Sequence, residues 1–388
     1  MNIQLEAGTF RKALALASHS VSGKSTIPIL SHYLLVVDES GFHITATNRD
    51  TAISVWMKAS ELESGSITIP ANLLRDLVAN LPNDALTISV NHETNASTIN
   101  CGRFTARVKG LSSADFPITT IGEKKMRTVI ELPIEQMRSM INQVAQSASK
   151  DDSKPTLAGI NFDLSAGAIT MATTDGYRLA VRREEVDCRI VETIIIPAKT
   201  MTILADLFKD AADAANVRME IVGRDRASWY FAGENDITAI EMSSGLIDAR
   251  YPDYTAIIPK SVNTRCVINT AEMQRALKVS AIFSKFNSNI VRLSCVPANE
   301  ETGVKGYISV GSDTEVGDNV ATIDADVVGS EIEMAFDFRF LIDMLPTFAP
   351  SALFVMELTQ TTRPGLFYPK EVAKDNHFCV IMPMHPPR

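Results

Sequence analysis

A short segment in the middle of the chain holds residue types that could do chemistry. It reads ATTDGYRLAV, residues 172–181, and places Asp175, Gly176, Tyr177 and Arg178 within one turn. A carboxylate beside an arginine could serve a catalytic loop, and a glycine beside a cation could cradle a phosphate. Asp-Gly is also a favoured corner of a β-hairpin. The turn alone therefore leaves a catalytic loop, a phosphate site and a structural hairpin open.

A second segment, VSGKST at residues 21–26, resembles the end of a nucleotide-binding loop. The full motif requires a glycine where this chain has Ser18, and it should lie between a strand and a helix. Here a helical pattern precedes the segment and Pro28 follows it. We interpret the segment as a polar loop whose Lys24 is free to meet a partner.

The residues that bind metals or act as nucleophiles show no matching spacing. The six histidines never occur as HxxxH or HxxH, and the five cysteines never occur as CxxC. No GxSxG elbow is present. We therefore expect no catalytic residue, no metal and no cofactor. An enzyme remains the first alternative, for example a hydrolase using Asp175 and Arg178, but it would need a base or metal that the sequence does not reveal.

The bulk composition is that of a globular protein. The chain has 388 residues, of which 45% are hydrophobic and 21% charged, which suggests two or three domains. No apolar run approaches the roughly 20 residues that span a bilayer, and the N-terminal segment lacks signal-peptide features. We expect a cytoplasmic protein without a membrane partner. The net charge of −9 argues against a simple basic surface for DNA.

The turn at 172–181 has a second copy, ATNRDTAISV at residues 46–55, and a looser third copy beginning at Gly311. Each copy follows an amphipathic helix with apolar residues at i, i+3, i+4 and i+7, which marks one buried face. These faces comprise Phe10, Ala13, Leu14 and Ala17; Met137, Met140, Ile141 and Val144; and Met273, Ala276, Leu277 and Ser280.

A strand leading into a second helix also recurs. GSITIPANLLRDLVANL matches ETIIIPAKTMTILADLF and, more distantly, SEIEMAFDFRFLIDML. Corresponding residues in the first two copies lie 126–127 positions apart, which is too long for a solenoid repeat. The sequence therefore predicts three similar α+β domains at 1–126, 127–261 and 262–388, each with two helices and about eight strands.

Positive charge is concentrated in the first helix of each copy. Residues 9–24, 134–150 and 271–285 carry net charges of +3, +1 and +2, although the whole chain is acidic. A basic helical face on an acidic body suits contact with a polyanion without base recognition.

Six motifs, in order along essentially the whole chain, resemble those of one family. They are STIPILSHYLL (25–35), SSADFP (112–117), ATTDGYRLA (172–180), IIIPAKTM (194–201), RYPDYTAIIP (250–259) and VIMPM (380–384). The chain resembles the β subunit of bacterial DNA polymerase III, the replicative sliding clamp.

The resemblance implies a head-to-tail homodimer that closes into a ring around duplex DNA, independent of DNA sequence. It implies a processivity subunit, without catalysis of its own, acting at the nucleoid. Its partners would be the DNA polymerase III α subunit, the clamp loader and other proteins with a clamp-binding motif. Its DNA contacts would include Lys24, Arg75, Lys150, Lys154, Lys199 and Arg275.

The resemblance also implies a pocket between the second and third domains that holds an extended peptide of a partner. Carried onto this sequence, the pocket comprises Leu157, Thr174, Gly176, Tyr177, Arg178, Leu179, Pro252, Ile257, Pro364, Val380, Met382, Pro383 and Met384. Tyr177 stands where the family often has histidine, and Ala256 stands where it often has a basic residue. The tail HPPR runs past the usual end.

The ring implied by the resemblance needs a seam between subunits. RFTARVKG (103–110) reads as an edge strand with Ala106 and Val108 on one face, and SAIFSK (280–285) ends a helix with Ile282 and Phe283. We expect these two surfaces to meet across the seam. The second alternative is a monomeric adaptor that binds peptides without encircling DNA.

Overall fold

The computed structural model describes residues 1–23, 25–117, 127–151, 153–165, 167–186, 191–212, 215–285, 288–299, 301, 303–315 and 317–384. Six α-helices occur in these residues, two in each third of the chain. They are α1 Ala7–Ala17, α2 Ala71–Ala79, α3 Ile134–Val144, α4 Ala198–Leu207, α5 Thr270–Ser284 and α6 Phe338–Met344.

The described residues also form 25 strands. The first third contains β1 Asn2–Glu6, β2 His32–Asp38, β3 Gly41–Thr47, β4 Thr51–Met57, β5 Ser60–Glu63, β6 Gly65–Pro70, β7 Ala85–Asn91, β8 Ala96–Cys101 and β9 Phe104–Lys109. The middle third contains β10 Arg127–Pro133, β11 Gly159–Ser165, β12 Ala168–Thr174, β13 Arg178–Glu185, β14 Glu192–Pro197, β15 Asn216–Val222, β16 Arg226–Phe231 and β17 Ile237–Gly245. The last third contains β18 Thr264–Asn269, β19 Ile290–Val296, β20 Tyr307–Thr314, β21 Gly317–Gly329, β22 Ile332–Asp337, β23 Leu353–Leu358, β24 Gly365–Pro369 and β25 His377–Ile381.

The strands and helices confirm the predicted α+β class with three domains of one architecture. Each domain has two helices and eight or nine strands among its described residues. The chain forms two compact units, residues 1–138 with 200–248 and residues 139–199 with 249–388. We call them unit 1 and unit 2.

Unit 1 holds two sheets. One has the order β5-β1-β7-β8-β9, and the other has the order β10-β15-β16-β17-β4-β3-β2-β6. In the second sheet the antiparallel pair β17–β4 joins strands of the middle domain to strands of the first. We call this pair the first junction.

Unit 2 holds one sheet of twelve strands in the order β14-β11-β12-β13-β25-β24-β23-β18-β21-β20-β19-β22. Its antiparallel pair β13–β25 joins strands of the middle domain to strands of the third. We call this pair the second junction. The two junctions use corresponding strands, because β4 and β13 each follow the hairpin copy and β17 and β25 each end a domain.

The predicted helix faces are buried as expected. All twelve residues of the three faces are buried, and ten of the twelve, all but Met273 and Ala276, are fully inaccessible. Ser280 is tolerated in the third face because its hydroxyl accepts a hydrogen bond from Asn319 Nδ2 at 2.9 Å. A buried hydroxyl with a partner avoids the cost of an unsatisfied polar group.

The helix starts differ between copies. Pro70 and Pro197 each end a strand immediately before α2 and α4, as predicted. The third copy lacks this proline and instead begins α6 with Asp337, whose carboxylate accepts a hydrogen bond from Arg339 N at 2.9 Å. An aspartate N-cap of this kind is typically worth about 1 kcal/mol.

In the structure, the residues of the two hairpin copies correspond with an offset of 127 positions, whereas the direct sequence match of 46–55 with 172–181 has an offset of 126. The last pair before the turn is Thr47 with Ala52 in unit 1 and Thr174 with Leu179 in unit 2. Thr47 therefore corresponds to Thr174, and the direct match of residues 46–55 with 172–181 is wrong by one position. Because successive strand residues point to opposite faces, this shift exchanges the faces of every matched side chain.

We predict an acid-sensitive contribution to the stability of unit 2 from His377. Its ring is buried edge-on against the ring of Phe348, with 5.3 Å between the ring centroids. Burial, together with the charge of Arg182, lowers the pKa of His377 from the ordinary 6.5 to about 3. Between these values the unfolded chain binds a proton that the folded chain does not, so stability falls as the pH falls below about 6.5. The contribution is at most about 1.4 kcal/mol per pH unit.

The replacement His377→Phe keeps an aromatic ring against Phe348 and removes the titrating group. Thermal midpoints measured from pH 7.5 to pH 5 should fall less steeply for the variant than for the wild type. Equal slopes would contradict the assignment.

Candidate functional site

The turn at residues 174–178 is built from its own side chains. Asp175 Oδ1 accepts hydrogen bonds from the backbone N–H groups of Tyr177 (2.9 Å) and Arg178 (3.0 Å). Thr174 Oγ1 donates to the carbonyl of Arg178 at 2.7 Å and accepts from Gly176 N at 3.1 Å. Gly176 has φ +96°, a conformation that favours glycine. The hairpin interpretation is confirmed, and the Asp175 carboxylate is occupied in closing the turn.

The guanidinium of Arg178 points to the helix side of the sheet. It donates from Nε to Asp175 Oδ2 at 3.0 Å, from Nη1 to Asp343 Oδ2 at 2.8 Å and from Nη2 to the carbonyl of Gln146 at 2.6 Å. It also lies 4.7 Å from the ring centroid of Phe340. Such charge-assisted bonds at a 7% exposed side chain indicate a bracing role.

Tyr177, Arg178 and Leu179 therefore do not form one amphipathic surface. Tyr177 is 61% exposed, Arg178 is buried on the helix side, and Leu179 is inaccessible on the opposite side of the sheet. The strand alternation separates the three side chains.

An apolar cluster covers the side of the second junction opposite the helices, which we call the open side. Leu179 lies opposite Val380 and Val181 lies opposite Phe378 in the strand register. All four are buried, and Tyr254 and Ile258 pack on their cluster. These two residues belong to RYPDYTAIIP (250–259), which we call the interdomain segment. The predicted residues Leu179 and Val380 are thus buried in this cluster.

The interdomain segment is fixed to the hairpin by Tyr251. Its hydroxyl accepts a hydrogen bond from Thr174 N at 3.0 Å, and burial raises the pKa of this hydroxyl. Pro252 follows directly and is exposed. This contact places RYPDYTAIIP beside the turn, as the predicted pocket requires.

A cavity of about 480 Å³ lies at the end of the interdomain segment. Its lining includes three residues of the predicted pocket, Ile257, Pro364 and Met382, and two cations, Lys260 and Arg363. The volume is within the range of small-ligand sites, roughly 300–1,000 Å³.

The C-terminal segment connects this cavity to the hairpin. Met382 N donates to the carbonyl of Tyr177 at 2.8 Å, and Met384 N donates to the carbonyl of Ala335 at 2.8 Å. Pro383 between them is half-buried. Leu157, the remaining predicted pocket residue, is half-buried, and its carbonyl accepts from Ser149 N at 2.9 Å.

The open side of the first junction differs in chemistry. Its strand pairs are Ala52 with Ser243, Ser54 with Glu241, and Trp56 with Ala239. The positions that hold Leu179 and Val181 in the second junction hold alanine and serine here. Of the two junctions, only the second has an apolar open side.

The predicted DNA contacts within the described residues are all exposed. They are Arg75, Lys150, Lys154, Lys199 and Arg275. Lys24 lies outside the described residues.

Two other cations of the first basic helix have structural partners. Arg11 donates to the carbonyls of Val78 and Leu81, and Lys12 forms an ion pair with Asp210 at 2.9 Å. The +3 charge of residues 9–24 therefore overstates the cations that are free for a polyanion.

Among the strands that end sheets or lack a partner on one side in the described part of the chain, two correspond to the strands of the internal junctions. β9 ends its sheet beside β8, and residues 317–324 of β21 pair with β20 on one side only. Apolar side chains stand exposed beside these edges: Phe104 is 57%, Val320 69% and Ile282 61% exposed. Of the predicted seam residues, Val108 is buried, and Ala106 and Phe283 are half-buried.

The described residues contain no group of three or more histidine, cysteine, aspartate or glutamate side chains that could hold a metal ion. Their four cysteines, Cys101, Cys266, Cys295 and Cys379, are free and buried. Within the same residues, no helix is long and apolar enough to cross a membrane.

Several residues that shape the site were missed from the sequence. Tyr251 and Tyr254 lie in a motif that was recognised, and their alternation with polar residues could have indicated a packed segment. Asp343 and Phe340, which hold Arg178, carry no local signal, because they approach it only through strand pairing and helix packing.

We predict unequal effects of truncating neighbouring hairpin residues. Leu179→Ala removes fully buried atoms, which typically costs 2–5 kcal/mol, so the thermal midpoint should fall by roughly 5–15 °C. Tyr177→Ala at the exposed position should change it by less than about 2 °C. Differential scanning calorimetry of both variants compares them directly, and similar shifts would contradict the alternation.

Comparison with known proteins supplies the family. The N-terminal, central and C-terminal domain models of the DNA polymerase III beta subunit match residues 1–120, 131–253 and 255–385. The Beta sliding clamp of Streptomyces coelicolor is 28% identical over 371 residues, which cover 94% of this chain and 93% of that protein. The Beta sliding clamp of Bacillus subtilis is 25% identical over 360 residues, which cover 89% and 90%.

Solved structures agree in fold. The DNA polymerase sliding clamp of Bacillus subtilis superposes with a TM-score of 0.88 at 23% identity, covering 99% of both chains. The DNA polymerase III beta subunit of Thermotoga maritima gives a TM-score of 0.86 at 21% identity, again covering 99% of both. With its repeated domains matched in order along nearly the whole length, the chain belongs to the family of bacterial DNA polymerase III β subunits, the sliding clamps, which are non-catalytic processivity factors.

Proposed function

We propose that two copies of this chain join head to tail into a closed ring around duplex DNA, where the ring tethers a polymerase to its template. The observation that carries the proposal is the use of one strand pairing twice within the chain. β4 with β17 and β13 with β25 form the two junctions, and the third pair of corresponding strands, β21 and β9, has open edges. Pairing between subunits would satisfy those backbone groups.

The register of that third junction follows from the repeat. Val181 pairs with Ala172, and Val320 pairs with Gly311, each pair enclosing eight residues of its hairpin. Asp318, two residues before Val320, therefore takes the place that Leu179 has in β13.

The corresponding position on β9 is set by the segment that follows it. Leu111 N donates to the carbonyl of Thr68 on β6, as Met384 N donates to Ala335 on β22. Arg107, four residues before Leu111, therefore takes the place that Val380 has in β25.

Leu179 lies opposite Val380 in the second junction. The same register would place Asp318 opposite Arg107 of the partner subunit. Opposite charges directly across antiparallel strands are favourable, and like charges are unfavourable. β9 also carries Lys109, and β21 also carries Asp324, so the first edge is basic and the second is acidic.

Apolar surface supports the same seam. On the helix side, Phe104, Ala106 and Val108 of β9 would meet Ile282 and Phe283 of α5. Ile282 and Phe104 are more than half exposed in the single chain, and their burial would stabilise the dimer. This is the seam predicted from the sequence, extended by Phe104.

A closed ring reconciles DNA binding with a net charge of −9. Topological linkage retains the ring, so a few phosphate contacts suffice and no base needs to be read. We assign these contacts to Lys24, Arg75, Lys150, Lys154, Lys199 and Arg275.

The apolar open side of the second junction and its cavity support a peptide-binding role. Leu179 and Val380 belong to the buried apolar cluster on which Tyr254 and Ile258 pack, and Met382, Pro364 and Ile257 line the cavity. Methionine adapts to partners of different shape. We propose that extended segments of the DNA polymerase III α subunit, of the clamp loader and of other partners bind here in turn, with the remaining predicted pocket residues around them.

The proposed domain boundaries stay at 126/127 and 261/262. The first lies in the gap between the matched N-terminal and central family domains, and the second lies a few residues inside the matched C-terminal domain. We propose that the protein acts in the cytoplasm on nucleoid DNA.

A charge exchange across the seam tests the register. Arg107→Glu should raise the dissociation constant of the dimer, because it places two carboxylates opposite each other. Adding Asp318→Lys in the same chain should restore most of the affinity, since every seam then has the opposite pair. Surface pairs of this kind contribute about 0.2–1 kcal/mol, so each effect should be a fewfold change. Sedimentation analysis measures it, and additive losses in the double variant would contradict the register.

Retention on circular DNA tests the function. The protein loaded on a nicked circle should remain bound at high salt and should slide off after the circle is cut. Ile282→Asp should give monomers and abolish retention, because a buried unpaired charge costs several kcal/mol. Val191→Asp is the matched control, since Val191 is 80% exposed and directly precedes β14, an end strand of the twelve-stranded sheet that is far from β21 in the strand order. Retention that survives linearisation would exclude encirclement.

A further inference from the structure

The loop between α3 and β11 carries two of the proposed DNA contacts, Lys150 and Lys154, and one residue of the proposed pocket, Leu157. We call residues 149–158 the basic loop after its two lysines, although Asp151 and Asp152 bring its net charge to zero. Its ends are joined by a hydrogen bond from Ser149 N to the carbonyl of Leu157 at 2.9 Å. The carbonyl of Lys154 accepts from Leu157 N at 3.0 Å and from Ala158 N at 3.1 Å. Lys154 and Leu157 therefore belong to one turn, so the backbone of one cannot move independently of the other.

The start of this loop is tied to the pocket hairpin. Arg178 Nη2 donates to the carbonyl of Gln146 at 2.6 Å, and Thr173 Oγ1 donates to the carbonyl of Val144 at 2.5 Å. Arg178 is otherwise held by Asp175 of the hairpin and Asp343 of α6. One buried guanidinium thus joins the hairpin, the residues before the basic loop and a helix of the third domain.

The exposed part of the basic loop depends on few buried contacts. Lys150, Asp151, Ser153, Lys154 and Pro155 are all exposed. Segments with few buried contacts lie at the low end of local stability. A ligand that orders such a segment lowers the entropy cost for a second ligand that needs the same segment ordered.

We propose that duplex DNA at Lys150 and Lys154 and a peptide in the pocket bind cooperatively, with Arg178 as the positioning residue between the two sites. The inference rests on the proposed function, which places DNA at the basic loop and peptides in the pocket. DNA that orders the loop also fixes the position of Leu157. Because Arg178 binds the residues just before the loop, the hairpin is then restrained as well. The clamp on DNA would therefore hold its partners more tightly than the free clamp.

The test measures peptide affinity with and without DNA. The probe is a fluorescein-labelled decapeptide, selected from a random library for binding to this protein. Its binding must be lost in the Met382→Ala variant, which shows that it occupies the pocket. Its dissociation constant is measured by anisotropy, alone and with saturating short linear duplex at low salt. We expect the duplex to lower the constant about fivefold, within the usual range of coupling between sites. A ratio of one for the wild type would overturn the proposal.

Variants test whether Arg178 couples the two sites. Arg178→Lys keeps the charge but cannot donate to three groups at once, so the ratio should fall towards one. Asp343→Asn, at a more exposed partner, should lower it partly and serves if Arg178→Lys folds poorly. Lys305→Ala removes an exposed lysine of the same unit outside the basic loop and should keep the full ratio. A full ratio in both Arg178→Lys and Asp343→Asn would exclude Arg178 as the route.

A salt titration separates failure of the inference from failure of the proposed DNA contacts. Lys150→Ala with Lys154→Ala should flatten the slope of log affinity against log salt for duplex binding by about 1.8, at roughly 0.9 per contact. An unchanged slope would remove these residues from the DNA surface. A flattened slope with a wild-type ratio of one would leave the DNA contacts standing and overturn the coupling alone.

Discussion

Backbone pairing between the end strands of successive domains is the interaction on which the rest of this structure depends. An open strand edge exposes unpaired N–H and C=O groups, and proteins either cover such edges or pair them. Here β4 with β17 and β13 with β25 satisfy two sets of edges within one chain. We propose that β9 and β21 pair in the same way, between two chains. Ring closure, the acidic and basic edges and the apolar seam are consequences that we propose from this single constraint.

The difference between the two internal junctions explains why one of them carries the proposed pocket. A one-residue difference from the direct sequence match decides which side chains face the helices. In the first junction Ile53 and Val55 are buried, and Ala52 and Ser54 lie on the open side. In the second junction Arg178 and Ala180 take the helix side, and Leu179 and Val181 make the open side apolar. The inward arginine then finds its partners in Asp343 and Gln146.

Local patterns in the sequence predicted much of the fold. The 3.6-residue period identified all three first-helix faces, and Asp175-Gly176 indicated the hairpin as one of three interpretations. The shift of one residue between the hairpin copies could not be predicted, because a direct match has no information about strand register. The same limit applies to the site. Family resemblance selected Ile257, Pro364 and Met382, which line one cavity, but the inward direction of Arg178 depends on strands and helices distant in sequence.

Cross-linking through the proposed third junction tests the central claim most directly. Paired residues of antiparallel strands lie about 4.5–5.5 Å apart, within the range that a disulfide can join. A chain with Arg107→Cys and Asp318→Cys should form covalent dimers on oxidation, with no larger species, and these dimers should stay on circular DNA in detergent. Monomers alone would contradict the strand pairing, and a ladder of larger oligomers would show an open filament in place of a ring.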